Sequence, residues 1–281
     1  MRNGPEADVR YETVPPLPSW ERGLGGEGAV RPASPAVELR QVWAAYGSQA
    51  PALREVSLRV AEGERRGIVG PSGSGKSTLL KLLGGIVPPM RGEVTTLGVR
   101  VTERRAGRRL RARIGYIPQN LGLVSSASVL QNALLGALHR VGELRSWLGI
   151  FPAAEYQSAW EALEAVGIAH LAERRAHQLS GGERRRLAVA RTLVQRPELL
   201  LADEFLSELD DATAEQVLGA LETAHRELGM TVIIVEHDLR VACSFCDVVT
   251  VLRDGAKVAE AAGAELDEQA LRCLLQPARL P

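Results

Sequence analysis

Apolar and polar positions along the chain keep two different rhythms. Val37-Glu38-Leu39-Arg40-Gln41-Val42 and Val56-Ser57-Leu58-Arg59-Val60 alternate as half-buried strands do. Gly67-Ile68-Val69, Leu199-Leu200-Leu201-Ala202 and Thr231-Val232-Ile233-Ile234-Val235 are continuous apolar runs. Such runs suit a parallel sheet covered on both faces. Between them the apolar positions spread to helical spacing, at Leu79, Leu80, Leu82 and Leu83, at Leu187, Ala190 and Val194, and across Ala212 to Arg226. Strands alternating with helices predict an α/β fold with a mostly parallel sheet.

Residues 121–178 leave that alternation. Val129, Ala133, Ala137, Leu138 and Val141 recur at helical spacing, as do Tyr156, Ala159, Trp160, Leu163 and Val166, with Gly167 placed as a helix stop. This reads as a helical subdomain inserted in the α/β core. Residues 1–36 hold Pro5, Pro15, Pro16, Pro18, Pro32 and Pro35 with many glycines, which predicts a disordered extension ahead of one domain over 37–281. Gly23, Gly25 and Gly28 match a dinucleotide fingerprint, but that site needs a strand before it and a helix after it. Here prolines stand on both sides.

Composition narrows the function classes. The 281 residues are 45% hydrophobic, enough for a substantial core, and 34 basic side chains balance 34 acidic ones. A balanced chain is a poor polyanion binder, so nucleic acid is not expected, and the run Arg104, Arg105, Arg108, Arg109, Arg111 and Arg113 reads as a solvated face. No window approaches the roughly 20 apolar residues of a membrane span. Glu6 and Asp8 interrupt any leader-like apolar stretch, and three sparse cysteines suit a reducing cytosol. The Cys243 and Cys246 pair is expected to pack in the core.

The clearest chemistry lies in Gly70-Pro71-Ser72-Gly73-Ser74-Gly75-Lys76-Ser77-Thr78, a G-x-x-x-x-G-K-[ST] loop between a predicted strand and a predicted helix. Its glycines let the backbone fold tightly, so that N–H groups point at phosphate oxygens, and the helix N-terminus adds partial positive charge. Lys76 is placed for the β and γ phosphates and Ser77 for Mg²⁺. By itself the loop means only a nucleoside triphosphate, since small-molecule kinases, GTPases and helicases share it. Leu199 to Glu204 adds an apolar strand ending in two carboxylates, Asp203 placed for the Mg²⁺ shell and Glu204 to polarise a water. Leu179-Ser180-Gly181-Gly182-Glu183 opens a further helix, a second anion-ready N-terminus whose natural target is a partner's nucleotide.

In order and spacing these motifs resemble the ATP-binding subunits of ABC transporters, over residues 37–262. The resemblance implies a P-loop core, an N-terminal antiparallel β subdomain and the helical insert. It identifies Gly70–Thr78 with the Walker A loop, Gln119 in Ile117-Pro118-Gln119 with the Q-loop, and Leu179–Glu183 with the signature motif. Leu199–Glu204 then corresponds to Walker B, Ser207-Glu208-Leu209-Asp210 to the D-loop, and His237 to the switch histidine. It implies that Tyr46 stacks on adenine, that Gln119 reaches Mg²⁺ or water, and that His237 contacts the γ phosphate. The implied partners are a second copy across shared ATP, membrane permease subunits at the cytoplasmic face and, indirectly, an extracytoplasmic binding protein. Leu135-Gly136-Ala137-Leu138, Trp147-Leu148-Gly149 and Gly167-Ile168-Ala169-His170-Leu171-Ala172 look most like the phosphonate-importer branch. Glu183 stands where many members have Gln, and Phe205 and Leu206 are unusual after the catalytic Glu. The rivals are an ABC-type ATPase of DNA maintenance, whose long arms or zinc inserts this chain lacks, an ABC ATPase for an unrelated cargo, and a small-molecule kinase, which would not need Ser180 or Gln119.

Overall fold

The structure, a computed structural model, describes residues 35–45, 50–102, 107–141, 149–207, 209–262 and 267–275. Tyr46, Arg104, Arg105, Trp147, Leu148, Glu208 and the 1–34 stretch lie outside the described residues.

Two sheets organise the chain. The first is antiparallel, in the order β2-β1-β4-β5, from β1 (Val37–Ala44), β2 (Leu53–Val60), β4 (Arg91–Thr96) and β5 (Val99–Arg100). The second has six strands in the order β10-β9-β3-β8-β7-β6. Within it β3 (Arg65–Val69), β6 (Ile114–Ile117), β7 (Leu199–Asp203), β8 (Thr231–Val235) and β9 (Val248–Arg253) are parallel, and only β10 (Ala256–Ala262) turns back against β9. The fold is thus α/β with a mostly parallel sheet, as the apolar runs imply.

The parallel strands are covered on both faces because their side chains alternate between two apolar clusters. Leu199, Leu201, Ile233, Val235 and Ile68 point into one cluster, with Leu79, Leu80, Leu82 and Leu83 of α1 (Lys76–Leu83) and the inner face of the antiparallel sheet. Leu200, Ala202, Val232, Ile234 and Val69 point into the other. That second cluster holds α5 (Gly181–Gln195) and α6 (Asp211–Leu228) and runs without a break into the helical insert. The short helices α2 (Gly107–Arg113), α7 (Leu239–Phe245) and α8 (Glu268–Leu275) lie outside the insert.

The insert departs from its sequence pattern in two places. The period over 129–141 suggests one helix, yet α3 (Val129–Leu134) tightens into a 3₁₀ turn at Leu135–His139. There the chain presses on α5: a Cβ on Gly136 would stand 2.1 Å from the Arg191 carbonyl oxygen. In α4 (Ala153–Ala165) the apolar spacing holds, but Ala159 and Leu163 are buried whereas Tyr156 and Trp160 are 38% and 41% exposed. Gly167 ends this stretch at φ +69°, the left-handed helix stop its position suggests. The Arg140 guanidinium fastens α4 to α5, pairing with Glu155 and donating to the carbonyls of Val194 and Gln195.

Replacing Gly136 with Ala forces backbone against backbone. Overpacking of this kind is expected to cost about 1–3 kcal/mol, read as a lowered urea midpoint with an unchanged slope.

Candidate functional site

Parallel register decides where the candidate residues meet. Ile117 pairs with Ala202, Asp203 with Val235, and Ile68 with Val235, so β6, β7, β8 and β3 end side by side. Gln119 follows β6, Glu204 follows β7, His237 follows β8 and the Gly70–Thr78 loop follows β3. In open α/β sheets ligands bind at this carboxyl edge.

The loop is shaped by what surrounds it. Gly75 has φ +98°, and a Cβ there would lie 2.6 Å from the carbonyl oxygen of Ala52, just before β2. The same oxygen would lie 2.6 Å from a Cβ on Gly255, whose N–H donates to Ser74 O at 3.2 Å. The turn between β9 and β10 and the start of β2 therefore clamp the loop from outside it. Lys76 is buried, and its ammonium donates to the carbonyls of Gly70 at 2.8 Å and Pro71 at 3.1 Å. Burial pushes the Lys76 ammonium below the usual lysine range, while the charges of Glu204 and Asp203 pull it back up. Among the described residues no side chain caps the start of α1.

Asp203 and Ser77 form the oxygen-rich corner. Burial raises the Asp203 carboxyl above the usual range, against a hydrogen bond from Ser77 and the charges of Lys81 and Lys76. Among the described residues its Oδ1 is buried without a hydrogen-bond partner, and so is Ser74 Oγ. An orphaned carboxylate oxygen beside a hydroxyl fits a hard divalent cation, and Mg²⁺ characteristically takes few protein oxygens together with substrate phosphates.

Glu204 joins three strand ends. Its Oε1 lies 2.7 Å from His237 Nε2, and its Oε2 accepts from Gln119 Nε2 at 3.2 Å. To an ionised carboxylate His237 must donate, which places a proton on Nε2. Both oxygens keep further lone pairs for a water. Glu204 also holds φ +52°, a left-handed conformation uncommon outside glycine.

Ser180 to Gly182 stand apart. Among the described residues no hydrogen bond joins them to the Gly70–Thr78 loop. Ser180 caps α5: its Oγ accepts from the Glu183 N–H at 3.2 Å, and Glu183 accepts from the Ser180 N–H at 2.7 Å. This is a reciprocal capping box. The Ser180 N–H, chiefly, holds the Glu183 carboxyl below the usual range. The acid at position 183 is thus engaged by its own helix. Phe205 is fully buried in the cluster shared by strands and helices, so the aromatic after Glu204 acts as a core anchor. Asp210 caps α6 by accepting from Thr213. In the cysteine pair, Cys246 is buried and its thiol is pushed up to about 12, chiefly by burial, while Cys243 is half-buried.

The motifs passed over Glu236, which follows the apolar run of β8 and is only 5% exposed. Burial, reinforced by the charges of Glu204, Asp238 and Asp203, raises it from 4.5 to about 7 against a hydrogen bond from the Leu206 N–H. An acid one place past a buried strand was the available signal.

Comparison with known proteins places these features in context. The family model described as ABC transporter matches residues 53–207. The phosphonates import ATP-binding protein PhnC of Frankia casuarinae is 43% identical over 83% of this chain and 93% of its own. PhnC 1 of Cupriavidus metallidurans is 39% identical over 85% and 86%. Among solved structures, the dimeric ATP-binding cassette MJ0796 in a post-hydrolysis state bound to ADP and Pi is similar with a TM-score of 0.72. It is 32% identical and covers 80% of this chain and 98% of its own.

Because Glu236 takes up a proton on folding between pH 4.5 and about 7, it favours the fold most at the acid end, and the benefit fades as pH rises. The full effect is on the order of 3 kcal/mol. Glu236→Gln should flatten the fall in stability between pH 5 and 7.5 in urea titrations; identical slopes for parent and variant would refute this.

Proposed function

The chain belongs to the ABC transporter family of ATP-binding subunits, and from that premise we propose that it hydrolyses ATP to drive a membrane importer of phosphonate or a related small oxyanion. One observation carries the hydrolytic reading: Lys76, Asp203, Glu204, Gln119 and His237 converge at the carboxyl ends of parallel strands, and Glu204 is braced by both Gln119 and His237.

In this reading the backbone of Gly70, Pro71, Ser72, Gly73, Ser74 and Gly75, with Thr78 beyond, cradles the phosphates. Lys76 leaves its two loop carbonyls for the β and γ oxygens, a stronger, charge-assisted contact. Ser77, Asp203 and Gln119 would hold Mg²⁺, which would supply neutralisation of the phosphate charge. Glu204 accepts the proton of the attacking water, His237 contacts the γ phosphate, and Tyr46 stacks on the adenine. Ser180, Gly181 and Gly182 act in trans: the first N–H groups of α5 face the partner's γ phosphate, so two bound ATP molecules close a homodimer and their hydrolysis reopens it. The dimeric state of the MJ0796 cassette supports that arrangement.

The permease subunits would dock on the cleft of about 350 Å³ between the strands and the insert, lined by Ile86, Tyr116, Leu135, Gly136 and Arg191. Among the described residues no helix is long and apolar enough to cross a membrane, which suits an engine seated peripherally on the cytoplasmic face. The phosphonate cargo rests on the names of the relatives and on Leu135–Leu138 and Gly167–Ala172; an extracytoplasmic binding protein would deliver it.

Glu204→Gln should keep ATP binding and slow turnover by roughly 10²–10⁴, the worth of a positioned base. Normal turnover in that variant would remove Glu204 from its role. Ser180→Arg should abolish ATP-dependent dimers in light scattering while the monomer still binds nucleotide. Dimers that persist with ATP would exclude the trans contact.

A further inference from the structure

We propose that Arg185 is a positioning residue for Glu204, acting through the hydroxyl of Ser207; the inference rests on Glu204 being the group that activates water. Glu204 holds a left-handed backbone conformation, φ +52°. Such a conformation persists only where its surroundings enforce it. Here the residue is pinned at both ends. Its N–H donates to Val235 O at 2.9 Å, and its own carbonyl accepts from Ser207 Oγ at 2.9 Å.

The second pin depends on the direction of one hydroxyl proton. Ser207 is exposed, and a free serine hydroxyl rotates to suit whichever acceptor is near. Arg185 Nη2 donates to the same Oγ at 3.0 Å. A guanidinium has donors only, so Ser207 must accept from it, and its single proton is directed to Glu204 O. Each hydrogen bond polarises the next.

The connection spans two sites. Arg185 lies on α5, the helix opened by Ser180, whose turn faces the partner's nucleotide in the proposed dimer. Glu204 acts on the nucleotide of its own chain. A shift of α5 on trans engagement therefore reaches the main-chain carbonyl of Glu204 through two hydrogen bonds, with Ser207 between them, and so the backbone conformation that aims the cis carboxylate.

The test is a double-mutant cycle on the full chain, with MgATP turnover, nucleotide affinity and melting temperature measured for Arg185→Ala, Ser207→Ala and the pair. Each single change is expected to lower kcat by about 3- to 10-fold, the span of one hydrogen bond, with KM and melting temperature unchanged. The pair should be no slower than the slower single variant, and Arg185→Lys and Ser207→Thr, which keep a donor and a hydroxyl, should recover most of the rate. Unchanged kcat in Arg185→Ala, losses that multiply in the pair, a rise in KM in place of the fall in kcat, or no recovery with Arg185→Lys would each overturn the proposal. A parent chain without ATPase activity would overturn this inference and the proposed function together, whereas multiplying losses in an active parent overturn this inference alone.

Discussion

The parallel pairing of β6, β7, β8 and β3 is the constraint on which the site depends. Each of these strands ends in a short residue pattern: a proline and a glutamine, two acids, an acid and a histidine, a glycine-rich turn. In-register hydrogen bonding sets the four ends at one edge, so residues distant in sequence, such as Gln119, Glu204 and His237, come within hydrogen-bonding reach. The pairing holds because both faces of the sheet are sealed by separate apolar clusters. Burial on two sides leaves the strand backbones no alternative to their ladder bonds.

The same burial sets the electrostatics of the site. Lys76, Asp203 and Glu236 are all withdrawn from water, and each is driven towards its neutral form. The group is a lysine near the carboxylates of Asp203 and Glu204 at the rim of the sheet, with Asp203 Oδ1 and Ser74 Oγ lacking partners among the described residues. An arrangement of unspent donors and acceptors suits a ligand that brings its own charge, and a magnesium-bound triphosphate does so. Glu204 holds a left-handed backbone beside this site, and Gly75 and Gly255 leave room for the Ala52 carbonyl where a Cβ would not fit.

The departures from the family pattern have separate physical explanations. Glu183 closes a capping box with Ser180, and a carboxylate serves this as well as an amide. Phe205 fills volume at the junction of strands and insert, so it anchors the turn that follows Glu204 by packing. Neither touches Ser77, Asp203 or Glu204 through a hydrogen bond among the described residues.

What the sequence by itself determined was local and periodic. The continuous runs in β3, β7 and β8, the loop from Gly70 to Thr78, the paired acids after Leu199–Ala202 and the cap at Ser180 were legible because each is set by neighbours within a few positions, through strand period, glycine conformation and capping. The helical period of the insert was legible too, but not which side of α4 faces water, because Tyr156 and Trp160 read as apolar wherever they point. The tertiary structure alone decided what depends on contacts between distant segments: the 3₁₀ turn at Leu135–His139 where Gly136 meets α5, the clamp on the phosphate loop, the burial that raises Glu236, and the Arg185–Ser207–Glu204 chain. No periodicity encodes these, since each arises where two segments far apart in sequence are pressed together and one must give up a conformation or a water contact, or take up a proton, to fit.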